Sequence, residues 1–251
     1  MLKINNLSFS YHKNKDVLMG ISFEVKNENI VVLLGPNGSG KSTLLKCILS
    51  LNKVRKGDIL YNDKSILNIS PSDRAKLISY VPQENVSSSL TIYEVILLGR
   101  LPYITFYESK EDIEIVNNII KDMGLEDIKD KRINETSLGQ RQKVMIAKAL
   151  AQKSEIILLD EPMNNLDIEN QLELIKTIKS LEEKEHKLVI ITLHDIDTAL
   201  SLGTKFIMLK NGELRYFGDE SIITKESIKE IFNVDIITKD IDGKRRIFYE
   251  D

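Results

Sequence analysis

Cysteine and long apolar runs are both scarce in this sequence. The 251 residues include a single cysteine, Cys47, so no disulfide can form within the chain, and we expect a reducing, cytoplasmic setting. The longest apolar runs, IVVLLG and IILLD, are far shorter than the ~20 residues that a membrane-spanning helix needs. The N-terminal stretch MLKINNLSFSY also lacks the apolar core of a signal peptide. We therefore expect any membrane role to act through a partner.

An excess of charge of either sign is also missing. The chain has 35 Lys and Arg against 38 Asp and Glu, a net charge of -3, which argues against non-specific binding of nucleic acid. Hydrophobic residues make up 42% of the chain, which is too many for a disordered protein. The length suits one large domain or a core that carries an inserted sub-domain.

Strands and helices alternate along much of the chain. Apolar and β-branched runs predict strands at Lys3–Tyr11, Val17–Val25, Ile30–Leu34, Asp58–Tyr61, Leu77–Val81, Ile156–Asp160, Leu188–Leu193 and Lys205–Lys210. Helical patterns follow at Lys41–Leu51, Arg141–Gln152, Glu169–Glu183 and Ile196–Leu202. This alternation predicts an α/β core with buried parallel strands.

The middle and the end of the chain break this alternation. From about Thr91 to Arg132 the pattern is helical, with Ile113, Val116, Ile120 and Met123 at helical spacing and Gly124 as a stop signal. We therefore predict a helical sub-domain over about 89–136, inserted between core segments 1–88 and 137–220. The remainder, 221–251, predicts a helix at Lys225–Phe232 and a hairpin that turns near Asp242–Gly243.

The stretch VVLLGPNGSGKSTLL has the order strand, GxxxxGK[ST], helix, which is typical of a phosphate-binding loop. Its backbone amides can surround phosphate oxygens, and the helix N-terminus adds partial positive charge. We predict that Lys41 reaches the β- and γ-phosphates of a nucleotide, Ser42 binds Mg²⁺ and Thr43 contacts the α-phosphate. The predicted nucleotide-binding residues of the loop are Gly35, Pro36, Asn37, Gly38, Ser39, Gly40, Lys41, Ser42 and Thr43. The alternative, a glycine turn that happens to precede a lysine, does not account for the flanking strand and helix.

A second chemical element is the stretch SEIILLDEPMNNLD. Its apolar strand ends at Asp160, which we predict holds Mg²⁺ through water at the carboxyl edge of the sheet. Glu161 follows directly and can orient, or accept a proton from, an attacking water molecule. A strand that simply ends in solvated acids is the alternative. The pairing with a phosphate loop favours ATP hydrolysis.

Taken together, the phosphate loop, the DEP triplet, the SLGQRQ turn and the histidine in VIITLHD resemble the nucleotide-binding subunit of an ATP-binding cassette (ABC) transporter. The resemblance covers nearly the whole chain, in the order and spacing of the family. It implies a P-loop NTPase core with a mixed, largely parallel sheet, an antiparallel β sub-domain and the inserted helical sub-domain. It also implies that ATP and Mg²⁺ are bound by a homodimer.

The resemblance implies roles for three further residues. Tyr11 matches the aromatic residue that stacks on adenine, although an ordinary strand aromatic is the alternative. Gln83 matches the glutamine that contacts Mg²⁺ or the attacking water and senses the membrane partner, whereas a solvent-exposed loop glutamine would do neither. His194 matches the histidine that contacts the γ-phosphate.

The turn around Ser137 matches the family's LSGGQ turn, which in a head-to-tail dimer closes over the ATP of the partner. Ser137, Gly139 and Gln140 are retained and are expected to contact that γ-phosphate, while Asp167 matches a loop that crosses the same interface. Thr136 and Leu138 depart from the family, which has Leu and Gly there. We expect Leu138 to crowd the closed dimer or to impose a different backbone angle.

Two segments resemble importers of iron–siderophore complexes, haem and cobalamin. These segments are TIYEVILLGRLPY, residues 91–103, and SIITKESIKEIFNVDI, residues 221–236. The alternative for the first segment is that Gly99-Arg100-x-Pro102 breaks a helix and exposes an arginine. The resemblance implies an integral membrane permease, an extracytoplasmic substrate-binding protein and a location on the inner face of the membrane.

Competing interpretations remain at two levels. A cassette from an exporter would keep the same fold, and only the 99–103 box argues against it. Repair cassettes need a long coiled coil between Gln83 and Ser137, and translation cassettes carry two such domains in one chain, so neither fits. A P-loop phosphotransferase would explain Lys41 and Asp160, but not Glu161 and His194 together with the SLGQRQ helix.

Overall fold

The structure is a computed structural model that describes residues 1–12, 16–27, 29–83, 88–164, 166–183, 185–241 and 244–249. The chain forms two compact units, Met1–Ile69 with Ile178–Asp251, and Ser70–Thr177. The helical insertion that the sequence predicts at about 89–136 lies wholly within the second unit, which also contains two strands.

The elements are as follows. The strands are β1 Leu2–Phe9, β2 Leu18–Val25, β3 Ile30–Leu34, β4 Lys56–Tyr61, β5 Lys64–Ser65, β6 Ile78–Val81, β7 Ile156–Asp160, β8 Leu188–Thr192, β9 Lys205–Lys210, β10 Glu213–Gly218, β11 Ile236–Ile241 and β12 Lys244–Tyr249. The helices are α1 Lys41–Ile48, α2 Pro71–Leu77, α3 Ile92–Leu97, α4 Lys110–Asp122, α5 Leu138–Ala151, α6 Ile168–Glu183, α7 Ile196–Leu202 and α8 Lys225–Phe232. Short 3₁₀ turns lie at Leu98–Arg100, Glu126–Ile128, Ile133–Glu135 and Glu220–Ile222.

The first unit contains an antiparallel sheet in the order β2-β1-β4-β5. Its strands alternate buried and exposed positions, as in β1, where Leu2, Ile4, Leu7 and Phe9 are buried. One face of this sheet therefore packs on the core while the other meets solvent. The predicted antiparallel β sub-domain is confirmed.

Parallel strands form the buried part of the first unit. β3 pairs in parallel with β8 on one side and with β9 on the other, and β10 lies antiparallel to β9. All five residues of β3 and all five of β8 are buried, which explains why both read as continuous apolar runs. β3 leads directly into the phosphate loop, so the loop begins at the end of a buried strand that is paired on both sides.

In the second unit β6 pairs in parallel with β7, and helices α3, α4 and α5 pack on one another. Val116 and Ile120 on α4 and the C-cap residue Met123 are buried, in agreement with the predicted pattern. Ile113 is 37% exposed, whereas Ile119, which the pattern did not include, is buried. Gly124 has φ +59° just after the C-cap residue Met123, which confirms the predicted stop.

Several boundaries differ from the predictions. The first helix ends at Ile48 instead of Leu51, because Ser50 adopts a left-handed conformation with φ +52°. Tyr11 lies beyond the end of β1, which stops at Phe9. The helix predicted from Arg141 begins earlier, at Leu138, because Ser137 caps it. The helix Lys225–Phe232 and the two hairpin strands are confirmed, while the turn predicted at 242–243 lies outside the described residues.

Helix length also bears on membranes. Within the described ranges, every helix is either too short or too polar to cross a bilayer.

Candidate active site

The phosphate loop connects β3 to α1 and is tightly folded. Gly35 begins it, and a Cβ added there would lie 2.3 Å from the carbonyl oxygen of Leu209, so no side chain fits. Gly40 is the N-cap of α1 in a left-handed conformation, φ +105°. Glycine is therefore required at Gly35 by the close approach of Leu209, and it is favoured at Gly40 by the left-handed backbone.

Lys41 closes this loop. Its Nζ donates to the carbonyl oxygens of Gly35, at 2.7 Å, and Pro36, at 3.3 Å, and the residue is only 6% exposed. The buried hydroxyl of Ser39 has no hydrogen-bond partner within the described part of the chain. A buried ammonium, an unsatisfied hydroxyl and a helix N-terminus at one loop fit the binding of a phosphate chain.

Tyr11 lies close to the end of the loop. Its hydroxyl oxygen is 3.4 Å from Oγ1 of Thr43, and its ring packs edge-on against Phe9 with 4.8 Å between centroids. The ring is still 55% exposed, so it retains surface for a stacked base. Asn52, which the sequence analysis did not single out, donates to the Tyr11 hydroxyl at 3.4 Å.

Asp160 ends β7 in the second unit and is 2% exposed. The hydroxyl of Tyr80, on the neighbouring β6, donates to its Oδ2 at 3.4 Å, a contact that no sequence motif indicated. No group of three or more His, Cys, Asp or Glu in the described ranges could hold a metal ion. A Mg²⁺ at Asp160 would therefore need further oxygen ligands from hydroxyl groups, water or phosphate.

Glu161 is held by its backbone conformation and by two side-chain hydrogen bonds. It has φ +50°, which is uncommon for a residue with a side chain, and it is 9% exposed. Its Oε2 accepts from Nε2 of Gln83 at 2.6 Å and from Nδ2 of Asn164 at 2.7 Å. The structure thus brings the predicted residues Gln83 and Glu161 together, and it adds Asn164, which no pattern had indicated.

Ser137 is the N-cap of α5. Its Oγ accepts from the Gln140 amide at 3.2 Å, and the Gln140 side chain accepts from the Ser137 amide at 3.1 Å. The amides of Leu138 and Gly139 lie in the first turn, where no helical carbonyl precedes them. Leu138 does not have a positive φ, and its side chain is 50% exposed.

The two remaining predicted residues lie beside helix starts. Asp167 accepts from the backbone and side-chain nitrogens of Asn170, at 2.9 and 2.8 Å, immediately before α6. His194 is exposed and lies in the first unit between β8 and α7.

Arg100, in the box that resembles importers, is not exposed. It is 5% exposed, its Nε donates to Oδ1 of Asp112 at 2.8 Å, and its Nη1 donates to the carbonyl oxygen of Ala151 at 2.9 Å. Its guanidinium also lies 4.1 Å from the ring centroid of Tyr103. The alternative in which this box merely exposes an arginine is wrong. The pKa of Asp112 is lowered, first by the hydrogen bond from the Ser109 hydroxyl and further by Arg100, against the opposing effect of burial.

Comparison of the sequence with models of known protein families identifies the family of this chain. Residues 18–164 match the model of the family described as ABC transporter. The chain belongs to the ABC transporter family. It is 41% identical to an uncharacterised ABC transporter ATP-binding protein of Methanocaldococcus jannaschii, covering 97% of this chain and 95% of that one. It is 35% identical to the petrobactin import ATP-binding protein YclP of Bacillus subtilis, covering 98% of both.

Solved structures agree with this assignment. A metal-chelate type ABC transporter in an inward-facing conformation matches with a TM-score of 0.84 and 25% identity, covering 99% of this chain and 96% of that one. A dimeric ATP-binding cassette in a post-hydrolysis state, bound to ADP and Pi, matches with a TM-score of 0.79 and 29% identity, covering 87% and 98%. This ABC protein is an ATPase with a P-loop NTPase fold, and it binds ATP.

Proposed function

We propose that this ABC ATPase drives the import of a metal chelate: an iron–siderophore complex, haem or cobalamin. The observation that carries the proposal is the full-length similarity to a petrobactin import subunit, at 35% identity over 98% of both chains. The 91–103 and 221–236 segments support it independently. Their residues include the buried Arg100, which anchors the first segment.

In the proposed mechanism, two copies pack head to tail with ATP held at each interface. The phosphate loop and Lys41 bind the phosphates. Ser42, Gln83 and Asp160 are the residues that would hold Mg²⁺, which would neutralise charge that develops on the phosphates. Glu161 orients the attacking water, and His194 contacts the γ-phosphate. The predicted contributions to the partner's ATP come from Ser137, Gly139, Gln140 and Asp167. ATP binding then closes the dimer and hydrolysis opens it.

The similarity to an import ATP-binding protein supports a membrane permease as a partner of this chain. We propose that the permease binds the loop between the 3₁₀ turn at Leu98–Arg100 and α4, where Phe106 is 88% and Tyr107 87% exposed. Large exposed aromatic side chains are typical of interfaces. The permease and an extracytoplasmic binding protein select the cargo, and the ATPase acts on the inner face of the membrane.

An uptake assay tests the proposal. Cells that produce this ATPase with its permease and binding protein should accumulate radiolabelled iron–siderophore, and the Glu161→Gln variant should abolish both uptake and ATP turnover. That variant should also form a dimer on size-exclusion chromatography only when ATP is added. A monomer that instead phosphorylates an acceptor would identify a phosphotransferase, and ATP-dependent loss of a preloaded compound would identify an exporter.

The permease contact has its own test. The double change Phe106→Ala and Tyr107→Ala should reduce co-purification of the permease while the ATPase rate of the isolated subunit is unchanged. Phe248→Ala, on the C-terminal hairpin, is a matched control because Phe248 is also an exposed aromatic, at 45%. Equal loss of co-purification in both variants would refute this location.

A further inference from the structure

We propose that Asn164 is a positioning residue for hydrolysis, which holds the Glu161 carboxylate in the orientation that activates water. The inference rests on the proposed function, in which Glu161 orients the attacking water. It assigns a role to a residue that lies between the DEP triplet and Asp167 and that the sequence analysis gave no role.

Asn164 and Glu161 are joined twice within one turn. The Asn164 amide nitrogen donates to the Glu161 carbonyl oxygen at 3.2 Å, and the Asn164 side chain donates to Glu161 Oε2 at 2.7 Å. The backbone of Glu161 is held at φ +50°, a conformation that persists only where its surroundings enforce it. The carboxylate is thereby tied to the same turn that sets its backbone.

Gln83 reaches the same oxygen from a separate segment, with its Nε2 2.6 Å from Glu161 Oε2. In the proposed mechanism Gln83 also serves Mg²⁺ and senses the membrane partner, so movement of that partner would act on the contact between Gln83 and Glu161. Asn164 has no such second task. Its short side chain keeps Glu161 in place when Gln83 moves, and an amide orients the carboxylate without taking a proton from water.

The test is steady-state ATPase kinetics of single and double variants. Asn164→Ala should lower kcat about tenfold and leave KM for ATP unchanged, since the contact acts on the water-activating group and not on the nucleotide. Asn164→Asp should lower kcat further, because it replaces a donor by a second carboxylate. Asn164→Ser, which restores a hydroxyl donor, should recover part of the rate. Gln83→Ala combined with Asn164→Ala should cost more than the product of the two single effects, since each amide partly covers the loss of the other.

Controls separate this role from a structural one. Asn118→Ala, at an exposed position on α4, should leave kcat unchanged. Asn164→Ala in the Glu161→Gln background should still dimerise with ATP. Provided that Glu161→Gln is inactive, two results would overturn the inference. One is a wild-type kcat for Asn164→Ala, and the other is a change of kcat and KM by the same factor in that variant. Full turnover by Glu161→Gln would instead overturn the proposed function itself.

Discussion

Two arginine–aspartate pairs in this ABC ATPase have similar N···O distances but differ in exposure. Arg100 and Asp112 lie 2.8 Å apart with side chains that are each 6% exposed, whereas Arg55 and Asp16 lie 2.9 Å apart with side chains 59% and 40% exposed. We predict that Arg100→Met lowers the free energy of unfolding by about 3–5 kcal/mol, because it leaves the Asp112 carboxylate buried without its cation. Arg55→Met should cost under ~1 kcal/mol.

The assay is thermal and urea unfolding of both variants beside the wild type. For a protein of this size, ~2–4 °C in Tm per kcal/mol gives an expected shift of about 10 °C for Arg100→Met and at most about 4 °C for Arg55→Met. The double variant Arg100→Met with Asp112→Leu should regain part of the loss, because no isolated charge remains. Equal shifts for the two single variants would refute the reasoning from burial.

The Arg100–Asp112 pair also makes the free energy of unfolding depend on pH in the acid range. The folded-state pKa of Asp112 is lowered, so its stabilisation is complete above the unfolded value of ~3.9 and is lost as the pH falls through the lower folded value. In the Asp112→Asn variant, the free energy of unfolding should therefore fall less steeply as the pH decreases below about 4. An acid-unfolding curve parallel to that of the wild type would contradict this.

The remaining predictions concern nucleotide binding and turnover. Ser137→Ala should slow ATP hydrolysis by the dimer, whereas Thr224→Ala, which removes a similar cap from α8, should not; equal rates for both would refute the trans contact. Leu138→Gly should raise or preserve turnover, and a sharp fall would show that the leucine contributes. Tyr11→Ala should raise KM for ATP about threefold to tenfold while Tyr11→Phe leaves it unchanged, because only the ring stacks.

Much of the fold could be predicted from local patterns. β3, β7 and β9 occupy the predicted residues, because buried parallel strands are continuous apolar runs with clear ends. Two missed elements also carried signals: Ser70, Pro71 and Asp73 are typical of the start of α2, and Asn211-Gly212 is a hairpin turn that leads into β10.

The sequence predicted a residue of the candidate site only where that residue belongs to a recognisable motif. The positive φ of Glu161 and its hydrogen bond to Asn164 depend on the path of one turn, and residue type does not determine that path. The contact of Tyr80 with Asp160 depends on the pairing of β6 with β7. These two strands are far apart in sequence, as the pairing of Ile78 with Ile156 shows. The sequence left open an alternative in which Arg100 is exposed, because a helix-breaking sequence gives no information about burial.

Helix α5 connects the Ser137 turn to the segment that contains Arg100 and Tyr103. Its first residues form the Ser137 turn, and at its other end the carbonyls of Ala151 and Gln152 accept from Arg100, at 2.9 Å, and from the Tyr103 hydroxyl, at 3.0 Å. Its 14 residues make a rod about 20 Å long. In the proposed mechanism, a force that the permease exerts on the loop containing Phe106 and Tyr107 would be transmitted along α5 to the γ-phosphate bound by the second copy, which would couple permease movement to ATP hydrolysis.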